Sequence, residues 1–257
     1  KHSSFLFSCI PEKMLSNRIC EFAVKQDCDN FRYVPPQYMT PSLCEMAVRN
    51  YEGNIKYVPE SLRTYEMCME VVERDGSYLA YVPEPLKTED ICETAFNETP
   101  HAILFMPKKF LDKNRVLQYV NSEYGYLENV PVEYRDYDVC FAAIKKSPTN
   151  YSAIPDEAWT KELALAVLED YKWAVGKIPT RVLTEDVCLT AITPSSRAFG
   201  RIPRECLTAK ICLAAVRNGE RDHTHIDEIP FEFLTNEMCE EAVKKDPDVL
   251  RIIPDSF

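Results

Sequence analysis

An apolar residue followed by proline recurs along the chain at Ile10-Pro11, Val34-Pro35, Val58-Pro59, Val82-Pro83, Met106-Pro107, Val130-Pro131, Ile154-Pro155, Ile178-Pro179, Ile202-Pro203, Ile229-Pro230 and Ile253-Pro254. The interval is 24 residues throughout, except that 27 residues separate Pro203 from Pro230. A fixed period of this length marks a repeat architecture: one unit cannot bury its apolar face alone, whereas stacked neighbours share a continuous core. The whole chain, 1–257, reads as a single array of ten units beginning at Pro11, Pro35, Pro59, Pro83, Pro107, Pro131, Pro155, Pro179, Pro203 and Pro230.

Phase then carries the local prediction. The fifth residue after each proline is Ser16, Thr40, Thr64, Thr88, Asp112, Asp136, Thr160, Thr184, Thr208 or Thr235. All ten are residues whose side-chain oxygen caps the exposed N–H groups of a helix N-terminus. Acids follow two positions later, as at Glu66, Asp138 and Glu237, and bases close the segment, as at Arg49, Lys145 and Lys244; that polarity suits the helix dipole. The eighth, ninth, twelfth and thirteenth positions are apolar, as in Ile211, Cys212, Ala215 and Val216, a spacing that makes one helical stripe. The predicted helix runs about ten residues, roughly 15 Å. A polar turn and a short apolar segment follow, such as Leu79-Ala80-Tyr81-Val82. Proline disfavours helix in the residue before it, so this segment is expected as a short second helix or 3₁₀ turn packed on the first. The fold class is therefore all-α, an α-solenoid of about ten 24-residue helix-turn-short-helix repeats. Leucine-rich repeats share the period but not the strand signature, and tetratricopeptide and ankyrin units are about 34 and 33 residues long.

The composite pattern Thr-x-x-apolar-Cys-x-x-Ala-Val, a polar turn, then apolar-x-Tyr-Val-Pro, resembles the tandem repeats of the domain of unknown function numbered 4116, over residues 11 to 254. The resemblance implies an effector-type protein of an intracellular bacterium or an amoeba-associated virus, binding inside a host cell. It implies no catalytic residues.

Composition narrows the function classes. No apolar run approaches the roughly 20 residues of a membrane span. The net charge of −11 opposes the phosphate neutralisation that nucleic-acid binders rely on. The acidity is uneven: residues 1–106 carry ten basic and sixteen acidic side chains, residues 107–202 thirteen of each, and residues 203–257 seven and twelve. Six unclustered glycines supply no phosphate cradle, and no nucleophile elbow or paired-histidine helix motif occurs. No enzyme activity and no cofactor are expected. Eight of the eleven cysteines, Cys20, Cys44, Cys68, Cys92, Cys140, Cys188, Cys212 and Cys239, share the ninth position, with Val116 and Ala164 in the other two units. Packed helices lie about 8–10 Å apart, too far for disulfides along that column, so the thiols read as small core residues in a reducing, cytoplasmic compartment. The chain begins at Lys1 and both ends stop in phase; the expectation is a piece of a longer protein.

Three features are candidates for binding. The tenth position reads Glu21, Glu45, Met69, Glu93, then Leu117, Phe141, Leu165, Leu189, Leu213, then Glu240. Its five consecutive apolar residues either widen the core or form a groove for a partner. Second, the 27-residue unit places His223 and His225 beside Asp222, Asp227 and Glu228 in a loop near Asn218; insertions in repeat arrays often fall on the binding face, while a metal site there is the weaker reading. Third, Tyr33, Tyr57, Tyr81 and Phe105 form an aromatic ladder that gives way to Asn129, Ala153, Lys177 and Arg201, read first as packing between short helices. The sequence thus points to a non-catalytic scaffold for a protein partner, docking near Leu117, Phe141, Leu165, Leu189, His223 and His225. Two alternatives are a targeting module for a catalytic domain elsewhere and an RNA-binding helical repeat.

Overall fold

The computed structural model describes residues 7–220 and 224–253, and among these the protein is all-helical, with no β-strand. Ten α-helices run between Asn17 and Lys245: α1 (Asn17–Gln26), α2 (Pro41–Asn50), α3 (Tyr65–Val72), α4 (Glu89–Glu98), α5 (Lys113–Val120), α6 (Tyr137–Lys146), α7 (Lys161–Asp170), α8 (Glu185–Ala191), α9 (Ala209–Asn218) and α10 (Asn236–Lys245). None is long and apolar enough to cross a membrane. The chain divides into two compact units, Lys1–Tyr124 and Gly125–Phe257. In the first, α2 packs on α3 and α3 on α4; in the second, α6 to α10 pack each on the next.

The helix starts follow the capping logic with one variation. Ser16, Thr40, Thr64, Asp112, Asp136, Thr160, Thr208 and Thr235 each accept a hydrogen bond from the backbone N–H three residues on. The Thr88 and Thr184 hydroxyls instead donate to the carboxylates of Asp90 and Asp186. An aspartate two residues after the threonine draws the hydroxyl there, whereas the longer Glu66, Glu162 and Glu237 leave Thr64, Thr160 and Thr235 capping. The Lys161 ammonium also reaches Asp186, and together with Thr184 it holds that carboxyl down to about 2.

The expected second helix resolves into two 3₁₀ segments. One occupies the residues before the apolar-proline pair, as at Cys28–Tyr33, Glu52–Tyr57 and Gly76–Tyr81. The other, three residues long, follows each proline, as at Pro36–Tyr38 and Glu60–Leu62. Its cause is local: a proline carbonyl accepts from the N–H three residues on, as Pro35 does from Tyr38 at 2.9 Å and Pro59 from Leu62 at 2.9 Å. The six-residue segments pack on their neighbours in register, and the absence of a Cβ at Gly76 is essential there. A methyl at that position would lie 1.9 Å from the Ala95 carbonyl oxygen of α4.

In each unit the ninth position is the centre of the core. Cys20, Cys44, Cys68, Cys92, Val116, Cys140, Ala164, Cys188 and Cys212 are fully buried, and Cys239 nearly so. All described cysteines are free thiols, as helix spacing requires.

Two polar devices join adjacent turns of chain. Asn30, Asn54 and Asn150, at the same phase and buried, turn their amides back to the helix just completed, donating to the carbonyls of Ala23, Ala47 and Ala143 at 2.9, 3.0 and 3.1 Å. Asn54 also donates to the preceding unit's Cys28 carbonyl, and the Asn150 oxygen accepts from the Leu127 N–H at 2.8 Å. Arg63 and Arg135, four residues after their prolines, bridge in the other direction. Arg63 donates to the carbonyls of Val58 at 2.9 Å and Tyr81 at 2.6 Å; Arg135 donates to Val130 at 2.7 Å and Ala153 at 3.0 Å. Each guanidinium thus ties its own apolar-proline turn to the next one. Removing the Asn54 amide takes one hydrogen bond from the Cys28 carbonyl and one from the Ala47 carbonyl, which keeps the Tyr51 N–H, and a lost hydrogen bond costs about 1 kcal/mol. Asn54→Ala is expected to lower the urea midpoint by that equivalent with an unchanged m-value, whereas the exposed Asn17→Ala leaves it within about 0.5 kcal/mol of the parent.

Candidate interaction surface

In the second unit the tenth position of four helices forms a column of half-buried apolar side chains, Phe141 on α6, Leu165 on α7, Leu189 on α8 and Leu213 on α9, and on α10 it is the exposed Glu240. Beside each stands a small, half-buried residue: Ala142, Ala166, Thr190 and Ala214. These positions flank the buried stripe, so the column is neither core nor freely solvated. Phe141 is fixed by its own helix: the Tyr137 ring stacks on it at 5.5 Å and the Lys145 ammonium sits 4.6 Å from its centroid. The contacts span one turn on each side, the spacing at which helical side chains meet, and they hold the ring in a single orientation.

Leu117 is also half-buried but belongs to the first unit, on α5. In that unit the same position is otherwise acidic or methionine: Glu21, Glu45, Met69 and Glu93. A cleft of about 310 Å³ lies between α2 and α3, walled by Glu45, Glu66, Glu70 and Arg49 over Val48 and Met67. Glu70 is held between Arg49 at 3.5 Å and Arg74 at 2.8 Å.

The insertion loop differs from the surface loop that its composition suggests. His223 and Asp222 lie outside the described residues. His225 is only 2% exposed. Its backbone takes the left-handed conformation, φ 58°, its Nδ1 lies 2.9 Å from a Glu228 carboxylate oxygen, and its ring meets Phe199 edge-on at 5.5 Å. The missing Cβ of Gly200 admits that carboxylate, since a methyl there would lie 2.8 Å from a Glu228 oxygen. Burying imidazole against a phenyl ring outweighs solvating it, because a carboxylate satisfies one nitrogen as it enters. His225 therefore packs inside, forming one wall of a small cleft of about 260 Å³ shared with Trp173, Ser195, Arg197 and Glu220. Arg197 and Glu220 close one side as a two-point ion pair, 3.1 and 2.9 Å.

The aromatic ladder is tied to the 3₁₀ segments, with Tyr33 and Tyr81 the more exposed and Tyr57 flanked by the cations of Arg32 and Lys56 at 5.9 and 5.0 Å. One group among the described residues has donors close enough to hold a metal ion, Asp27, Cys28 and Asp29. Its carboxylates are engaged locally: Asp27 caps the Asp29 N–H at 3.0 Å and Asp29 meets Arg32 at 3.4 Å. Sequence reasoning passed over the buried asparagines and bridging arginines, although Asn30 and Asn54 stand one period apart; polar residues inside an apolar pattern read as turn. No family model matches the chain, and neither a curated protein nor a solved structure does.

The thiol column sets a pH signature. Burial pushes the thiols of Cys44, Cys68, Cys92, Cys188 and Cys212 up to about 11 and that of Cys140 up to about 12, from an ordinary 9.0. The unfolded chain therefore loses these protons first. The folded state binds more protons between pH 9 and 11–12, so stability falls as pH rises through that window and is unaffected by the thiols below it. Urea midpoints are expected to be flat from pH 7 to 8.5 and to drop steeply above pH 9. A Cys140→Ala, Cys188→Ala double variant should show a shallower drop than the parent protein.

Proposed function

We propose that this chain is a non-catalytic α-solenoid scaffold whose stacked units present an extended surface to a protein partner, and that the partner docks on the apolar column of the second unit. The observation that carries this reading is the run of apolar residues at a single phase of the second unit, Phe141, Leu165, Leu189 and Leu213, each beside a small residue, where the first unit has Glu21, Glu45, Met69 and Glu93 before Leu117. Interface centres are depleted in charge and anchored by aromatic and aliphatic side chains. Small residues alongside let a partner backbone approach between the larger ones. Buried free thiols support a reducing compartment, and the resemblance noted above makes a host-cell cytosol the proposed setting.

The test replaces two members of the column. With Phe141→Asp and Leu165→Asp combined, proteins that the parent chain retains from host-cell lysate are expected to be lost by at least tenfold. The melting temperature should stay within a few degrees of the parent. Unfolding of this variant assigns the column to the core and overturns the proposed site, as does retention of the same proteins at full yield.

A further inference from the structure

The phase that carries the aromatic ladder, two residues before a proline, holds Lys177 and Arg201 in the second unit, and the charge around these two is unlike that of the chain as a whole. The protein has a net charge of −11, yet residues 171–204 carry six cationic side chains, Lys172, Lys177, Arg181, Arg197, Arg201 and Arg204, against two acidic ones, Glu185 and Asp186. Both acids stand in the first turn of α8 and are taken up there, Glu185 by Lys210 at 2.7 Å and Asp186 by Lys161. Three of the cations are engaged as well: Arg181 donates to the Trp159 and Asp156 carbonyls, Arg197 pairs with Glu220, and Arg204 pairs with Glu232. The other three, Lys172, Lys177 and Arg201, have no acidic partner among the described residues.

These three belong to two 3₁₀ segments that pack on each other, Lys172–Lys177 and Ser196–Arg201. Trp173 in the first segment is 49% exposed, and the Arg201 guanidinium of the second lies 4.8 Å from the centroid of its ring. That stack fixes the guanidinium in advance, so an arriving anion orders less side chain. Immediately before Lys177 and Arg201 come the exposed Gly176 and Gly200, at a phase where earlier repeats carry Arg32, Lys56 and Glu128. A Cβ on Gly176 would meet the Arg201 Cβ at 3.4 Å, so its absence lets the two segments close up and leaves the backbone beside Lys177 uncovered. The Glu228 carboxylate, which comes close to Gly200, is turned onto His225. The result is a small basic and aromatic surface with no carboxylate of its own to neutralise it. Its anion is a short one: the acidic chain repels an extended polyanion along its length, whereas a peptide segment feels mainly the charges within about 10 Å at 0.1 M salt.

We infer that this surface docks an acidic peptide segment of a protein partner, whose carboxylates meet Lys172, Lys177 and Arg201 while an aromatic side chain lies against the open part of the Trp173 ring. The inference does not depend on the apolar column, which occupies another phase of the repeat. The probe is a fluorescein-labelled peptide, Gly-Glu-Glu-Phe-Glu-Glu-Gly, titrated with the protein and followed by polarisation. Saturable binding that weakens with rising salt is expected, and none to the same peptide with glutamine in place of glutamate. Lys177→Glu combined with Arg201→Glu is expected to weaken binding about tenfold, and Trp173→Ala about threefold. Lys25→Glu combined with Lys146→Glu imposes the same change of net charge elsewhere and should stay within about twofold of the parent. All the replaced side chains are exposed, so circular dichroism should match the parent throughout. The site is overturned by a parent protein that does not bind the probe, by equal binding of the glutamine peptide, or by equal affinities of the two charge-reversed pairs. Tighter binding of an oligouridine of equal charge overturns it too, by making the surface a nucleic-acid contact.

Discussion

The structure depends on a constraint of covalent geometry, the proline that opens each unit. Proline fixes its own φ, removes an N–H and keeps the preceding residue out of the helical region. Val34, Val58 and Val82, each before a proline, are accordingly extended. The chain cannot continue one helix into the next, so it restarts through a three-residue 3₁₀ turn and a capped helix at the same phase each time. Because the reversal recurs at a fixed interval, side chains of one phase fall into columns. Core, caps and surface are all consequences of those columns.

Much of this is legible in the sequence because it is repeated. One Thr three residues before an apolar residue is weak evidence of a helix start; ten residues of capping type in one phase fix the helix positions, and the helices lie where that pattern puts them. The apolar stripe and the cysteine slot follow from the same averaging. What departs from the average is harder to see. Thr88 and Thr184 give their hydroxyls to Asp90 and Asp186, a choice set by one acid each. The three extra residues before Pro230 read as a polar loop, yet His225 turns inward, because the left-handed backbone, Gly200 and Glu228 act together and none announces the others.

The apolar column illustrates the remaining difficulty. Phe141 and Leu165 sit on the shoulder of the helix stripe, and helix periodicity alone cannot say on which side of the protein boundary a shoulder lies. Exposure there is decided by how far the neighbouring helix reaches over it. The size of the adjacent residue is the physical variable, and Ala142, Ala166 and Ala214 keep that space low.

The polar bridges carry a consequence for how the chain is made. The Lys245 ammonium reaches back to the Arg217 carbonyl across 28 residues, and the Asn and Arg bridges span fewer. Contacts that are close in sequence carry a small loop-closure cost and favour rapid folding. A growing polypeptide can therefore complete each polar bridge soon after its second partner leaves the ribosome, without waiting for the distal half of the protein. The same locality makes the gene tolerant of duplication: an added block of 24 codons brings its own caps, core residue and proline, and disturbs only the blocks on either side.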